Sequence, residues 1–149
     1  MRYFTVFITA LLITVMLGCA GEAAVNMDNI DEHLGKADVQ YVDLRSRDEI
    51  LDVGMIDGFT MIQFYEDIVQ TNMIRVPGNF QFGPDDIVDE ASLRELFDED
   101  KSIYLMCRTG VRSQYMYDVL VHLGYESVIN IGGYDDYEGS NRVYHDPFE

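Results

Sequence analysis

The sequence predicts an α/β fold with a central, mostly parallel sheet and helices on both faces, and three observations predict it. Short apolar runs alternate with segments whose apolar residues recur every three to four positions, the order expected of strands and their crossover helices. The clearest run, Ser102 to Met106, is continuously apolar after its first residue, as a strand buried on both faces must be. Finally, 149 residues with 48% hydrophobic and 25% charged side chains suffice for one core, and no internal repeat suggests a second unit.

The N-terminus reads as a separate piece. Arg2 is followed by no charge until Glu22, and Tyr3 to Leu17 is a 15-residue uncharged stretch. That is short for a bilayer span of about 20 residues but suits the apolar part of a signal sequence. The residues Met16-Leu17-Gly18-Cys19 resemble a bacterial lipoprotein cleavage site, although Met16 and Leu17 depart from its usual residues. The expected organisation is a signal over 1–18, a tether over 19–27 and a domain over 28–149. Cys19 would carry a lipid that anchors the domain to the membrane at the cell envelope. An uncleaved anchor or an ordinary cleavage would also leave the domain outside the cytoplasmic membrane.

Within the domain the elements follow in turn. A helix is expected over 28–34, a strand over 39–44, and a helix over 47–51 whose Ser46 and Glu49 form a capping box. A strand over 60–64 precedes a helix over 90–97, with Asp89 as N-cap and Val88 and Leu93 as a hydrophobic staple. A strand over 103–106 leads into a helix over 114–123, where Tyr115, Met116, Val119, Leu120 and Leu123 make one apolar stripe. The last strand is expected over 127–131. The stretch 64–89 carries no motif and reads as a surface excursion with a short helix near 66–70. Phe80 and Phe82, flanked by glycines, leave a lid or docking loop as the alternative.

The chemistry is concentrated in Cys107-Arg108-Thr109-Gly110-Val111-Arg112-Ser113, directly after the apolar run. A thiol is a nucleophile only as thiolate, so its surroundings must favour the anion. Backbone N–H groups of a tight loop, the guanidinium groups of Arg108 and Arg112, and the N-terminus of the following helix are the sources this stretch offers. Gly110 lets the backbone turn. Cys107 could instead be an inert buried thiol at a strand end, as cysteines often are. Two of only ten basic residues in a chain of formal charge −17 lie within five positions of it, which favours a reactive, partly exposed thiol.

These seven residues resemble the active-site loop of the rhodanese-like sulfurtransferases, in which the cysteine opens a six-residue cradle. Tyr41 to Arg45 resembles the family's first core strand with its Asp-x-Arg signature, followed by Asp48 and Glu49 on a helix. Gly54 to Gly58 resembles its Gly-His-Ile-Pro-Gly turn, with Met55 in place of His and Asp57 in place of Pro. Asn130 to Gly133 resembles the strand end and glycine pair before the last helix, with Tyr137 where Trp is common. The resemblance runs from about residue 30 to the C-terminus and implies a rhodanese-like fold. It also implies a two-step relay in which Cys107 takes sulfur from a small anionic donor such as thiosulfate and passes it to a thiol or cyanide. In that reading the 108–113 segment binds the donor, with Arg112 and Arg108 on its anionic oxygens, while Asp43 and Arg45 brace the core. No cofactor or metal is implied.

Composition narrows the alternatives. The acidic charge makes nucleic acid an unfavourable partner. With Cys19 lipidated, Cys107 has no partner for an intramolecular disulfide. Related phosphatases place five residues between cysteine and arginine to fit a tetrahedral oxyanion, whereas this chain has four, Arg108 to Val111. A persulfide or redox sensor without turnover, and a scaffold that docks a protein through the 64–89 stretch, remain as competing readings. His122 reads as packing on the stripe, and His33 and His145 are isolated, so a Cys-His protease pairing is disfavoured.

Overall fold

The computed structural model describes residues 24–146, so the expected signal segment and Cys19 lie outside the described residues. Six strands and three α-helices run in the order β1 (Val39–Asp43), α1 (Arg47–Val53), β2 (Met55–Ile56), β3 (Thr60–Met61), α2 (Glu90–Leu96), β4 (Ser102–Cys107), α3 (Val111–His122), β5 (Val128–Gly133) and β6 (Arg142–Val143). Four strands form a parallel sheet in the order β3-β1-β4-β5. β2 and β6 make a small antiparallel pair that the sequence reading missed. At two residues each, they are too short to show a period.

Both faces of the sheet are covered, as expected. Strand residues alternate between two cores: Val42, Leu44, Ile103, Leu105 and Cys107 face α2 and α3, while Val39, Tyr41, Tyr104 and Met106 face α1. Chain order reverses between β1 and β4. β1 is followed by a crossover to β3 on one side, and the chain then returns to place β4 on the other. In open α/β sheets the crevice at the carboxyl ends of such strands is where ligands bind. Cys107 is the last residue of β4 and stands at that crevice.

Local chemistry explains most boundaries. The capping box forms: the Glu49 N–H donates to Ser46 Oγ, and Glu49 Oε2 accepts from the Ser46 N–H at 2.9 Å. Asp89 caps α2 through Ser92, and of the two residues of the expected staple Leu93 is buried while Val88 is 36% exposed. The first expected helix is a single 3₁₀ turn, Ile30–His33. Met27, which the sequence placed in the tether, is buried against the domain.

The 64–89 stretch runs over the surface as expected, with half of its residues exposed, but it is anchored in the core. It opens with a π-helix, Phe64–Val69, which supplies the short helix expected near 66–70 and replaces the last residues of the expected strand. Phe64, Ile68 and Ile74 are fully buried, and Phe80 and Phe82 pack edge-on against Tyr115 of α3. The Tyr115 hydroxyl ties the segment down, donating to the Arg75 carbonyl at 2.8 Å or to Asp86 Oδ2 at 2.9 Å. Among the described residues no helix is long and apolar enough to cross a membrane.

Candidate active site

The site is assembled by three backbone devices at the end of β4. Gly110 adopts φ +89°, a left-handed conformation open to glycine, and turns the chain so that α3 begins at Val111 rather than at the expected 114. A bulge lies opposite: Leu105 pairs with Asn130 but Met106 with Gly132, which sets Gly133 beside Cys107. Gly133 is needed there, because a Cβ would lie 2.7 Å from the Arg108 carbonyl oxygen and 2.8 Å from Thr109 Cα. The Asp135 N–H donates to the Arg108 carbonyl at 3.0 Å and fixes the loop from the same side.

Cys107 Sγ receives the Gly110 N–H at 3.1 Å. The Ser113 hydroxyl lies 3.6 Å from the sulfur and 3.1 Å from the Gly110 carbonyl, and its single proton serves one of them at a time. The sulfur therefore sits at the N-terminal end of a 12-residue helix with an amide and a hydroxyl aimed at it. The thiol itself is fully buried, contrary to the partly exposed thiol expected from sequence. Arg108, Thr109 and Val111 form the exposed rim above it.

The two arginines do not lie open to a donor as expected. Arg112 makes a bidentate pair with Glu49, Nη1 to Oε2 at 2.8 Å and Nη2 to Oε1 at 2.7 Å. Arg108 Nε donates to Asp135 Oδ2 at 3.3 Å, with both side chains about half exposed. Burial alone would raise the Glu49 carboxyl, but hydrogen bonds from Arg112 and Ser46 and the Arg112 charge hold it down at about 2. Arg112 is shifted the opposite way, above its ordinary value: burial opposes its charge, and the Glu49 hydrogen bonds, the Glu49 charge and the nearby Cys107 outweigh it. The guanidinium also stands 5.9 Å from the Tyr65 ring centroid, so the π-helix reaches the site.

Asp43 and Arg45 are both fully buried and form a pair at 2.7 Å, behind the loop rather than in it. Arg45 Nη2 also donates to the Gly54 carbonyl, and the guanidinium stacks over Tyr134 at 3.7 Å. Sequence reasoning missed Glu49, Asp135, Gly133 and Tyr134 as partners of these residues. Glu49 was visible as a cap and as an acidic helix residue of the family resemblance, not as a partner of Arg112. Its second role follows from β1 and β4 being parallel neighbours, which brings the first turns of α1 and α3 together. His122 is exposed beside Phe82 rather than buried on the stripe, and no histidine hydrogen-bonds Cys107. Among the described residues no group of three or more His, Cys, Asp or Glu side chains is gathered for a metal.

A parallel sheet with a cysteine loop at its switch point defines a class of protein, and comparison gives it a family. The model of the rhodanese-like domain matches residues 26–140, and the chain belongs to that family. It is similar in structure to the protein SSP1007 of Staphylococcus saprophyticus subsp. saprophyticus, at 22% identity and a TM-score of 0.48, over 75% of this chain and 90% of that one. It is also similar to RPA3614 of Rhodopseudomonas palustris, described as a possible tyrosine phosphatase, at 20% identity and a TM-score of 0.45, over 68% of this chain and 64% of that one. No curated protein matches the chain in sequence.

Proposed function

We propose that the chain is a sulfurtransferase of the cell envelope that moves a sulfane sulfur from an anionic donor, thiosulfate or similar, through a Cys107 persulfide to a thiol or cyanide. The observation that carries this is the sulfur's position: one amide, one hydroxyl and a helix N-terminus converge on it. Cys107 thiolate attacks the outer sulfur of thiosulfate, the S–S bond breaks with its electron pair on the departing sulfite, and Cys107 is left as the persulfide anion. An incoming thiolate or cyanide then takes the outer sulfur and the Cys107 thiolate returns. The Gly110 N–H and the Ser113 hydroxyl stabilise negative charge on sulfur in both states. No added cofactor enters this sequence of steps. Lipidation of Cys19 would hold the domain at the membrane.

The complete burial of the thiol supports a second reading, a sulfur carrier or sensor that forms the persulfide without turnover. One experiment separates the two. The purified protein is exposed in turn to thiosulfate, polysulfide and mercaptopyruvate, its intact mass is read, and thiocyanate release is followed with cyanide as acceptor. Catalysis predicts gain of one sulfur on Cys107 and repeated release, both absent from Cys107→Ser. Gain without release supports the carrier, and no gain removes both.

A further inference from the structure

Arg112 is the group a donor bearing sulfonate or carboxylate oxygens would need, and that group is occupied. Its planar fork meets the Glu49 carboxylate through two hydrogen bonds, the geometry by which guanidinium grips any planar oxyanion. The pair is largely shielded, with side chains 13% and 22% exposed, and Glu49 is tied again to the Ser46 N–H at 2.9 Å. The remaining loop cation, Arg108, is shared with Asp135 in an exposed pair of the kind that contributes little.

We infer that Glu49 is a specificity-determining residue whose carboxylate fills the Arg112 fork as a built-in oxyanion, so that the loop prefers a hydropersulfide over thiosulfate as donor. This rests on Cys107 being the sulfur-accepting nucleophile. Thiosulfate could take the bidentate face of Arg112 only by displacing Glu49, which would leave a largely shielded carboxylate without that partner beside a dianion. A hydropersulfide, R–S–SH, needs no oxyanion clamp. Cys107 thiolate attacks its outer sulfur, the S–S bond breaks with its electron pair on the inner sulfur, and R–S⁻ departs as Cys107–S–SH forms. No oxidant or reductant is consumed, because the sulfane sulfur keeps its oxidation state.

The test compares wild type, Glu49→Gln and Glu49→Ala, measuring Cys107 persulfidation by intact mass with thiosulfate and with 2-hydroxyethyl hydropersulfide generated in situ. Wild type should react faster with the hydropersulfide. In Glu49→Gln the ratio of thiosulfate to hydropersulfide rates should rise about tenfold, the worth of one charge-assisted contact. Sulfite should bind Glu49→Gln more tightly than wild type by calorimetry. A purely structural Glu49 would lower both rates together and leave the ratio alone, which would overturn the inference. So would a wild type that takes sulfur equally from both donors, a result that needs no variant to fold and leaves sulfur transfer itself intact. Absence of sulfur on Cys107 from either donor would instead overturn the sulfur-transfer reading, and this inference with it.

Discussion

Replacing Asp43 with alanine probes the support on which the cysteine loop stands. Asp43 Oδ1 accepts the Arg45 backbone N–H at 3.0 Å, both carboxylate oxygens accept from Nε at 3.0 Å, and Oδ2 accepts from Nη2 at 2.7 Å. Without it, the Arg45 guanidinium keeps the Gly54 carbonyl and the Tyr134 ring, and neither carries a full charge. Nη1 already lacks an acceptor. Charges about 3 Å apart at an effective dielectric of about 20 attract by roughly 5–6 kcal/mol. Breaking one partner of a buried pair costs about 3–5 kcal/mol, a large share of the roughly 5–15 kcal/mol that holds a domain folded. Urea unfolding followed by tyrosine fluorescence, the chain having no Trp, should show a lower midpoint at unchanged slope, the product of shift and slope giving a loss of that size. Asp43→Leu with Arg45→Met should recover most of it, since no buried charge is then left unpaired. A loss below about 1 kcal/mol for Asp43→Ala would refute the reasoning, because Arg45 would then be solvated without its partner.

Three further outcomes follow. Gly133→Ala should suppress Cys107 persulfidation more than it lowers stability, because the added Cβ meets the Arg108 and Thr109 backbone; equal rates with thiosulfate and with hydropersulfide before and after would contradict it. Glu49 has a folded value of about 2 against an ordinary 4.5, so its contribution is present above about pH 4.5 and lost as pH falls toward about 2. With screening of this partly exposed pair allowed for, the stability difference between wild type and Glu49→Gln should be about 1–2 kcal/mol near neutral pH and shrink near about pH 3 in paired urea titrations. Tyr115→Phe removes the hydroxyl that joins α3 to the 64–89 segment, and should cost about 1–2 kcal/mol and speed proteolysis within that segment.

How much of this the sequence carried can be judged element by element. β1, α1, β4 and most of α3 were legible because continuous apolar runs and a capping box are local signals. The start of α3 was not, because residues 111–113 turn helical only through the left-handed Gly110. The anchoring of the 64–89 segment was missed for a related reason. Its apolar residues have no helical or strand period, yet Phe64, Ile68 and Ile74 are buried by tertiary packing under α3. At the site, the order of Cys107, Gly110 and Ser113 around the sulfur could be foreseen from strand, turn and helix alone. The fate of the arginines could not. Glu49 lies 63 positions from Arg112 and Asp135 lies 27 from Arg108, so charge counting near Cys107 saw two cations where the fold makes two ion pairs. That correction changes the chemistry expected of the loop more than its shape.

Intact mass follows the proposed passage of a sulfur atom onto and off Cys107 without intermediaries. After exposure to a sulfane donor, the wild-type protein should gain one sulfur at Cys107, confirmed by peptide mapping, and lose it on addition of cyanide with release of thiocyanate. A protein that gains no sulfur from thiosulfate, polysulfide or hydropersulfide, or one in which Cys107→Ser gains it equally, would contradict the account.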